Sequence, residues 1–315
     1  MSRVSGSSTL STRARAWTPS ARTVNAACLS VLVLNTVIVV TGGAVRLTGS
    51  GLGCPTWPNC TADSLFTTPA MGVHGVIEFG NRLLTTPLTL AMVWALVAVV
   101  RQRPRRTDLT WLAWAQLGGA GFQAALGGVV VWTGLSPLTV AAHFLVSMAL
   151  IAGATTLWVR QRQDGREHPP YRRELRGLAT ALVVVTALVL LLGTVVTGSG
   201  PHSGDVDVSH RLPFAPAAVT QLHSDAVLLL VGLSVALRLT LGAFGADRRL
   251  VRLANWLLVV EAAQGVLGYV QHLTGLPALL VGAHMLGSCL TWIAVLRVRL
   301  AVGDGRSGPA AADNA

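Results

Sequence analysis

Long apolar runs separated by short polar loops dominate this chain. Eight stretches of roughly 20 predominantly apolar residues fall at about 25–45, 75–100, 109–132, 138–159, 176–197, 217–241, 250–272 and 277–300, the length an α-helix needs to cross the hydrocarbon of a bilayer. A second pattern lies over the first. Gln123-Ala-Ala-Leu-Gly-Gly-Val-Val-Val-Trp-Thr-Gly-Leu-Ser-Pro-Leu-Thr-Val-Ala-Ala-His143 reads again as Gln264-Gly-Val-Leu-Gly-Tyr-Val-Gln-His-Leu-Thr-Gly-Leu-Pro-Ala-Leu-Leu-Val-Gly-Ala-His284, and Gln123/Gln264, Thr133/Thr274 and His143/His284 are each 141 positions apart. Such a repeat decides architecture before local detail does. The expectation is an all-α membrane protein of eight transmembrane helices, arranged as two pseudo-symmetric four-helix bundles. Because four is even, both halves enter the membrane in the same direction, and their axis runs along the membrane normal. The predicted organisation is a disordered tail at 1–24, an N-terminal half at 25–160, a linker at 161–175, a C-terminal half at 176–301 and a disordered tail at 302–315.

Composition supports the membrane class: 52% of residues are hydrophobic and 12% charged, against about a quarter charged in soluble domains. The net charge of +11 does not point to nucleic acid, because its carriers are all arginines and nearly all lie in short loops. Arg3, Arg13, Arg15 and Arg22 precede the first span, and Arg101, Arg103, Arg105 and Arg106 follow the second. Further clusters occupy 160–176, 238–252 and 297–306, whereas the opposite face keeps only Arg46, Arg82 and Arg211. The positive-inside rule therefore predicts a multi-pass protein of the cell membrane with both termini in the cytoplasm. The first twenty-odd residues are too polar, and the following run too long, for a signal peptide, so the first helix is expected to be retained.

Ionisable groups inside spans are expensive and so direct attention to function. His143, His284 and His223 share a depth of roughly 10 Å below the outer boundary. The position 142 residues before His223 is Asn81, in Ile77-Glu78-Phe79-Gly80-Asn81-Arg82. Two neutral imidazoles facing each other across a bundle can hold a six-coordinate haem iron, whereas structural zinc needs four protein ligands and no third or fourth is visible at that level. The alternative for His223 and His284 is hydrogen bonding between helices. Glu78 with Arg82, four residues on, is either an ion pair fixing its helix or an acid/base beside a substrate. Arg82 could equally meet a ligand carboxylate. Cys54 and Cys60, in the long Gly-rich loop after the first span, are expected to form a disulfide on the oxidising side; a redox-active thiol pair is the alternative. His74 lies two turns nearer the surface on nearly the same face as Asn81, while His168, His202, His210 and His272 carry no specific signal. Cys28 and Cys289 read as apolar filler.

These residues resemble the haem A synthases, which act in assembly of haem-copper oxidases. The resemblance rests on Gly42-Gly-Ala-Val-Arg46-Leu-Thr-Gly-Ser-Gly-Leu52 followed by Cys54-Pro-Thr-Trp-Pro-Asn-Cys60, on Ile77-Glu78-Phe79 with Asn81-Arg82, and on Ala142-His143, Leu222-His223 and Ala283-His284. It implies haem b bound through His223 and His284, and a catalytic N-terminal half that receives haem O and oxidises its C8 methyl to the formyl of haem A. His143 would hold the substrate iron, Glu78 would be essential, Asn81 and Arg82 would line the substrate, and Cys54–Cys60 would be the loop disulfide. The implied partners are a haem O synthase, oxidase assembly factors and an external electron donor such as ferredoxin or quinol; homo-oligomerisation is compatible with it. One departure stands out: the family pattern has histidine where this chain has Asn81, and an amide is a poor iron ligand. Either His143 alone holds the substrate iron or His74 substitutes. A b-type cytochrome that only exchanges electrons with quinol, and a parallel-repeat transporter, are the other classes. Glu78, without an acidic counterpart at 219–221, favours the enzyme over the first, and the absence of expected broken midplane helices, with histidines grouped near one surface, disfavours the second.

Overall fold

A computed structural model describes residues 17–163, 171, 173–202, 204–205, 207–208 and 210–303. Among them the chain forms α1 (Ala21–Leu47), α2 (Gly72–Leu83), α3 (Thr85–Arg101), α4 (Thr107–Trp132), α5 (Pro137–Gln161), α6 (Arg173–Ser199), α7 (Pro216–Ala243), α8 (Arg248–Leu273) and α9 (Ala278–Val302), with a single 3-10 turn at Pro69–Met71. No strand occurs among the described residues; one isolated bridge joins Ser50 to Asp205. The helices extend a few residues beyond the apolar runs, α1 beginning at Ala21 where Ser20 caps it by accepting from the Thr23 amide at 3.1 Å. The expected tails lie, for 1–16 and 304–315, outside the described residues, as do His168 and most of the predicted linker.

Two elements differ from the expected spans. The second is broken at Leu84 into α2 and α3. Pro87 supplies the physical reason: it has no amide hydrogen, and its ring meets the carbonyl four residues back, that of Leu83. Among the described residues, seven helical segments, counting Pro69–Arg101 as one, are long and apolar enough to cross a membrane. The remaining one, α4, has 26 residues but dilutes its apolar side chains with Asp108, Gln116, Gln123 and several glycines.

Packing separates two apolar cores. One gathers Val31 of α1, Met92 of α3, Leu109 of α4 and Ile151 of α5; the other gathers Leu182 of α6, Leu237 of α7, Leu257 of α8 and Val298 of α9. In the first group α1 packs on α3 and α5, and α4 on α3 and α5; in the second, α6 packs on α7 and α9, and α8 on α7 and α9. Helix α9 joins the groups by packing on α1 and α5, and the Trp292 indole donates to the Met148 carbonyl at 2.9 Å. Trp111, Leu239 and Trp256 point outward, as apolar side chains do where lipid replaces water.

The repeated stretch folds alike in both copies. Thr133 and Thr274 terminate α4 and α8, their hydroxyls donating to Val129 and Val270 carbonyls at 2.8 and 2.7 Å. Gly134 and Gly275 then adopt positive φ, followed by Leu135 (φ 58°) and Leu276 (φ 60°). Leucine in that region is uncommon, and both residues are held by the outer loops: Leu135 lies where a Cβ on Gly51 would come within 2.7 Å, and the Leu276 carbonyl is 3.1 Å from His202 Nε2.

Candidate functional site

Helix α2 carries a buried polar cluster centred on Glu78. Glu78 is 6% exposed. Its Oε1 accepts from Arg82 Nη2 at 2.5 Å, the i,i+4 partner on the same face, and its Oε2 accepts from the Cys54 amide at 2.6 Å. The rest of the Arg82 guanidinium reaches the loop itself, donating to the Cys54 carbonyl at 2.9 Å, Thr56 at 3.0 Å and Asn59 at 3.2 Å. That loop is closed by the Cys54–Cys60 disulfide, and both cysteines are fully buried. An incoming thiol cannot approach these sulfurs, so the closed-loop reading fits better than a thiol pair in redox exchange. The two readings of Glu78–Arg82 thus merge: the pair fixes α2, and it does so by binding the loop.

The loop lies across the first group of helices. Gly53 packs so closely on α2 that a Cβ would sit 2.3 Å from the His74 carbonyl oxygen, and Trp57 covers Gly128 of α4, where a Cβ would come within 2.8 Å of its ring. Trp57 also meets Trp132 edge-on at 5.6 Å. The next residue back along α4, Gly127, faces His143.

Each predicted histidine lies over a glycine of a neighbouring helix. A Cβ on Gly127 would lie 3.3 Å from His143 Cε1, on Gly193 3.4 Å from His223 Cε1, and on Gly268 3.6 Å from His284 Cε1. Asn81 completes the set, its Nδ2 lying 3.8 Å from a Cβ built on Gly42 of α1. The sequence reading missed these glycines, although the spacing was available: Gly127 and Gly268 are 141 apart, like the histidines they face. The Nδ1 atoms of His143 and His284 are buried without a hydrogen-bond partner; that of His223 also lacks one at normal geometry, with the Val189 backbone as its neighbour. His223 and His284 are within electrostatic reach of each other.

Asn81 is committed elsewhere, its Oδ1 accepting from the Thr41 hydroxyl at 2.7 Å. His74 is tied by Nδ1 to Ser50 Oγ at 2.9 Å, beneath an outer cavity of about 320 Å³ lined by Gly53, Pro55, Met71 and Asp205 among others. Gln123 ties the turn of α5 below His143, donating to the His143 carbonyl at 2.7 Å and Ser147 Oγ at 2.5 Å. Gln264 lies against Gly287, one turn below His284. Two acidic residues escaped the sequence reading although both lie within spans: Asp225, exposed on α7 and bonded to Gln221 at 2.7 Å, and Glu261, 5% exposed on α8.

No group of three or more His, Cys, Asp or Glu side chains gathers to hold a bare metal ion among the described residues. Half-buried imidazoles whose Nδ1 atoms have no hydrogen-bond partner, each over a glycine that lets the ring approach the neighbouring helix, fit an iron that brings its own equatorial ligands. The donor set suits haem, with two histidines in the second group and one in the first.

The family model for cytochrome oxidase assembly protein matches residues 26–202, a stretch holding Glu78, Arg82 and His143. A heme A synthase of Alkalihalophilus pseudofirmus is 29% identical over 142 residues, 45% of this chain and 47% of that protein. One of Exiguobacterium sibiricum is 32% identical over 174 residues, 52% of this chain and 56% of its own. The chain thus spans about half the length of these curated relatives. The match is longer with a heme A synthase of Symbiobacterium thermophilum, 29% identical over 282 residues, which are 81% of this chain and 88% of that protein.

Proposed function

Since the chain belongs to the cytochrome oxidase assembly protein family, we propose that it oxidises the C8 methyl of haem O to the formyl of haem A, as a membrane-bound oxidoreductase serving haem-copper oxidase assembly. The observation that carries this reading is Glu78, a buried carboxylate held by Arg82 and the Cys54 amide on the helix that also bears Asn81. It has no acidic counterpart at 219–221, so chemistry is assigned to the N-terminal half and haem retention to the C-terminal half.

In this reading eight membrane crossings form two pseudo-symmetric four-helix halves, α4 being the third and bringing the seven strongly apolar segments to eight. The matching packing of α1, α3, α4, α5 and of α6, α7, α8, α9 around separate cores supports it. His223 and His284 would hold a haem b, and His143 would bind the iron of the substrate haem. When bound, the haem of the C-terminal half supplies one-electron transfer. Arg82 and the closed loop hold Glu78 at a set height, and the carboxylate retains lone pairs beyond its two contacts. Glu78 can therefore accept a proton released as the methyl is oxidised, or stabilise positive charge developing beside it. Trp57, covering α4 next to His143, excludes water from that side. Asn81, its Oδ1 taken by Thr41, offers only amide N–H groups, which can donate to an oxygen and cannot ligate iron.

A haem O synthase would deliver the substrate, an external donor such as ferredoxin or quinol the electrons, and oxidase assembly factors would take the product. The arginine distribution supports placement in the cell membrane with cytoplasmic termini. The test is direct. Purified protein is expected to show a six-coordinate b-type spectrum that His223→Ala or His284→Ala removes and Glu78→Gln retains, while Glu78→Gln abolishes haem A in extracted pigments. Haem A still made by Glu78→Gln overturns the catalytic assignment and leaves a pure electron carrier as the better reading.

A further inference from the structure

Glu261 belongs to none of the roles above. It lies near the middle of α8, 5% exposed, with Oε1 accepting from Ser234 Oγ of α7 at 2.8 Å and Oε2 buried without a partner. No cation pairs with it among the described residues. The elements packed on α8 are α7 and α9. Titratable or charged side chains on α7 are His223, Asp225 and Arg238, the last bonded to Asn255; on α9 they are His284, Cys289, Arg297 and Arg299. On α8 itself they are Arg248, Arg249, Arg252, Tyr269 and His272. None of them forms a hydrogen bond or ion pair with Glu261.

Helical rise sets the distance to the haem ligands. Gly268, which faces His284, is seven residues from Glu261, about 10 Å along α8, and Ser234 is eleven residues from His223, about 16 Å along α7. The carboxyl is thus within electrostatic range of those histidines but outside contact. An ionised carboxylate in the membrane interior needs positive charge nearby, and an oxidised iron between neutral imidazoles supplies it until an electron arrives.

We propose that Glu261, with Ser234, is an intramembrane proton-binding site of the C-terminal half, whose proton affinity rises when the haem held by His223 and His284 takes an electron. The inference rests on the haem assignment made above. An external one-electron donor reduces the iron, and the higher affinity draws a fraction of a proton per electron from water onto the carboxylate to give the carboxylic acid, so the added negative charge is partly offset. At roughly 12 Å and an effective dielectric of about 20, the iron's charge alters the proton affinity of Glu261 on the order of tenfold. By linkage the haem midpoint potential then falls by about 59 mV in total across the titration.

The experiment is a redox titration of the purified haem-bearing protein with soluble mediators over a series of pH values, for wild type, Glu261→Gln and Ser234→Ala. Infrared difference spectra between oxidised and reduced forms accompany it. Expected is a fall of this size in wild type that is missing in Glu261→Gln and displaced along the pH axis in Ser234→Ala. A carboxylic-acid carbonyl band should also be gained on reduction in wild type and be absent from Glu261→Gln. Haem propionates titrate in all three proteins, so the difference between variants is the readout. An equal fall in Glu261→Gln, or a wild-type potential independent of pH, overturns this proposal and leaves the haem assignment standing. Wild-type protein that carries no b-type haem overturns both.

Discussion

At the scale of single residues, Arg82 does more than neutralise Glu78. Its guanidinium serves the carboxylate and three loop carbonyls at once, a task suited to a planar fork of five donors. Arg82→Met leaves a buried carboxylate without its cation, and the expected loss is on the order of 3 kcal/mol, read as a lower thermal midpoint in detergent. Arg82→Lys is expected to recover only part of it, because an ammonium is a point charge. Parent-like stability in Arg82→Met would mean that the loop is held by its disulfide alone. The glycines opposite the histidines give a second residue-scale prediction. A Cβ at Gly193 already touches His223 at 3.4 Å, so the branched side chain of Gly193→Val displaces the imidazole. A severalfold fall in b-type haem per protein is expected from pigment extraction, with no comparable change for Gly232→Val, which has open space around it.

At the scale of elements, the start of α8 illustrates how a loop sets a helix. Asp247 caps it, accepting from the amides of Arg249 and Leu250 at 2.7 and 2.9 Å, and also takes the Tyr171 hydroxyl. The Tyr171 bond is the main reason its carboxyl is held below the ordinary 3.8, helped by the two amides, while burial first and then the same contact push the Tyr171 hydroxyl up to about 12. A depressed carboxyl contributes stability that is present above its unfolded value and lost as pH falls through its folded one. Protection of the amides in the first turn of α8, measured against their intrinsic exchange rates, is therefore expected to fall as pH drops below about 3.8 in wild type. Asp247→Ala should show the lower protection at neutral pH, at a cost of about 1 kcal/mol; unchanged protection would show that the cap is not holding the turn. The break between α2 and α3 was written in Pro87, but the apolar run continued through it and hid it. Periodicity reports which residues avoid water, whereas a break depends on one missing amide hydrogen.

At the scale of the whole molecule, the two groups of helices are tied across their outer loops. Arg46, at the end of α1, donates to the His202 carbonyl at 2.9 and 2.6 Å and to Thr197 at 3.1 Å, and the Gly51 amide donates to Gly204 at 2.8 Å. Arg46→Ala removes charge-assisted bonds worth about 2 kcal/mol together. It is expected to increase proteolytic cleavage in the 200–213 loop while the b-type spectrum persists; an unchanged digestion pattern would show that Arg46 does not join the halves. Much of this molecule was legible beforehand. The apolar runs located the helices because hydrocarbon admits only backbone that satisfies its own hydrogen bonds. The 141-residue repeat singled out His143 and His284, and the loop cysteines announced their pairing. Side-chain destinations were not legible: that Arg82 binds a loop 23 to 28 residues earlier, that Thr41 occupies Asn81, and that glycines stand opposite the histidines. Glu261 was visible as a letter but passed over, since its meaning comes from Ser234 on another helix and from the absence of a paired cation among the described residues. One-dimensional pattern determines what must leave water; which polar groups then meet is decided by distances between helices, which only the packed structure possesses.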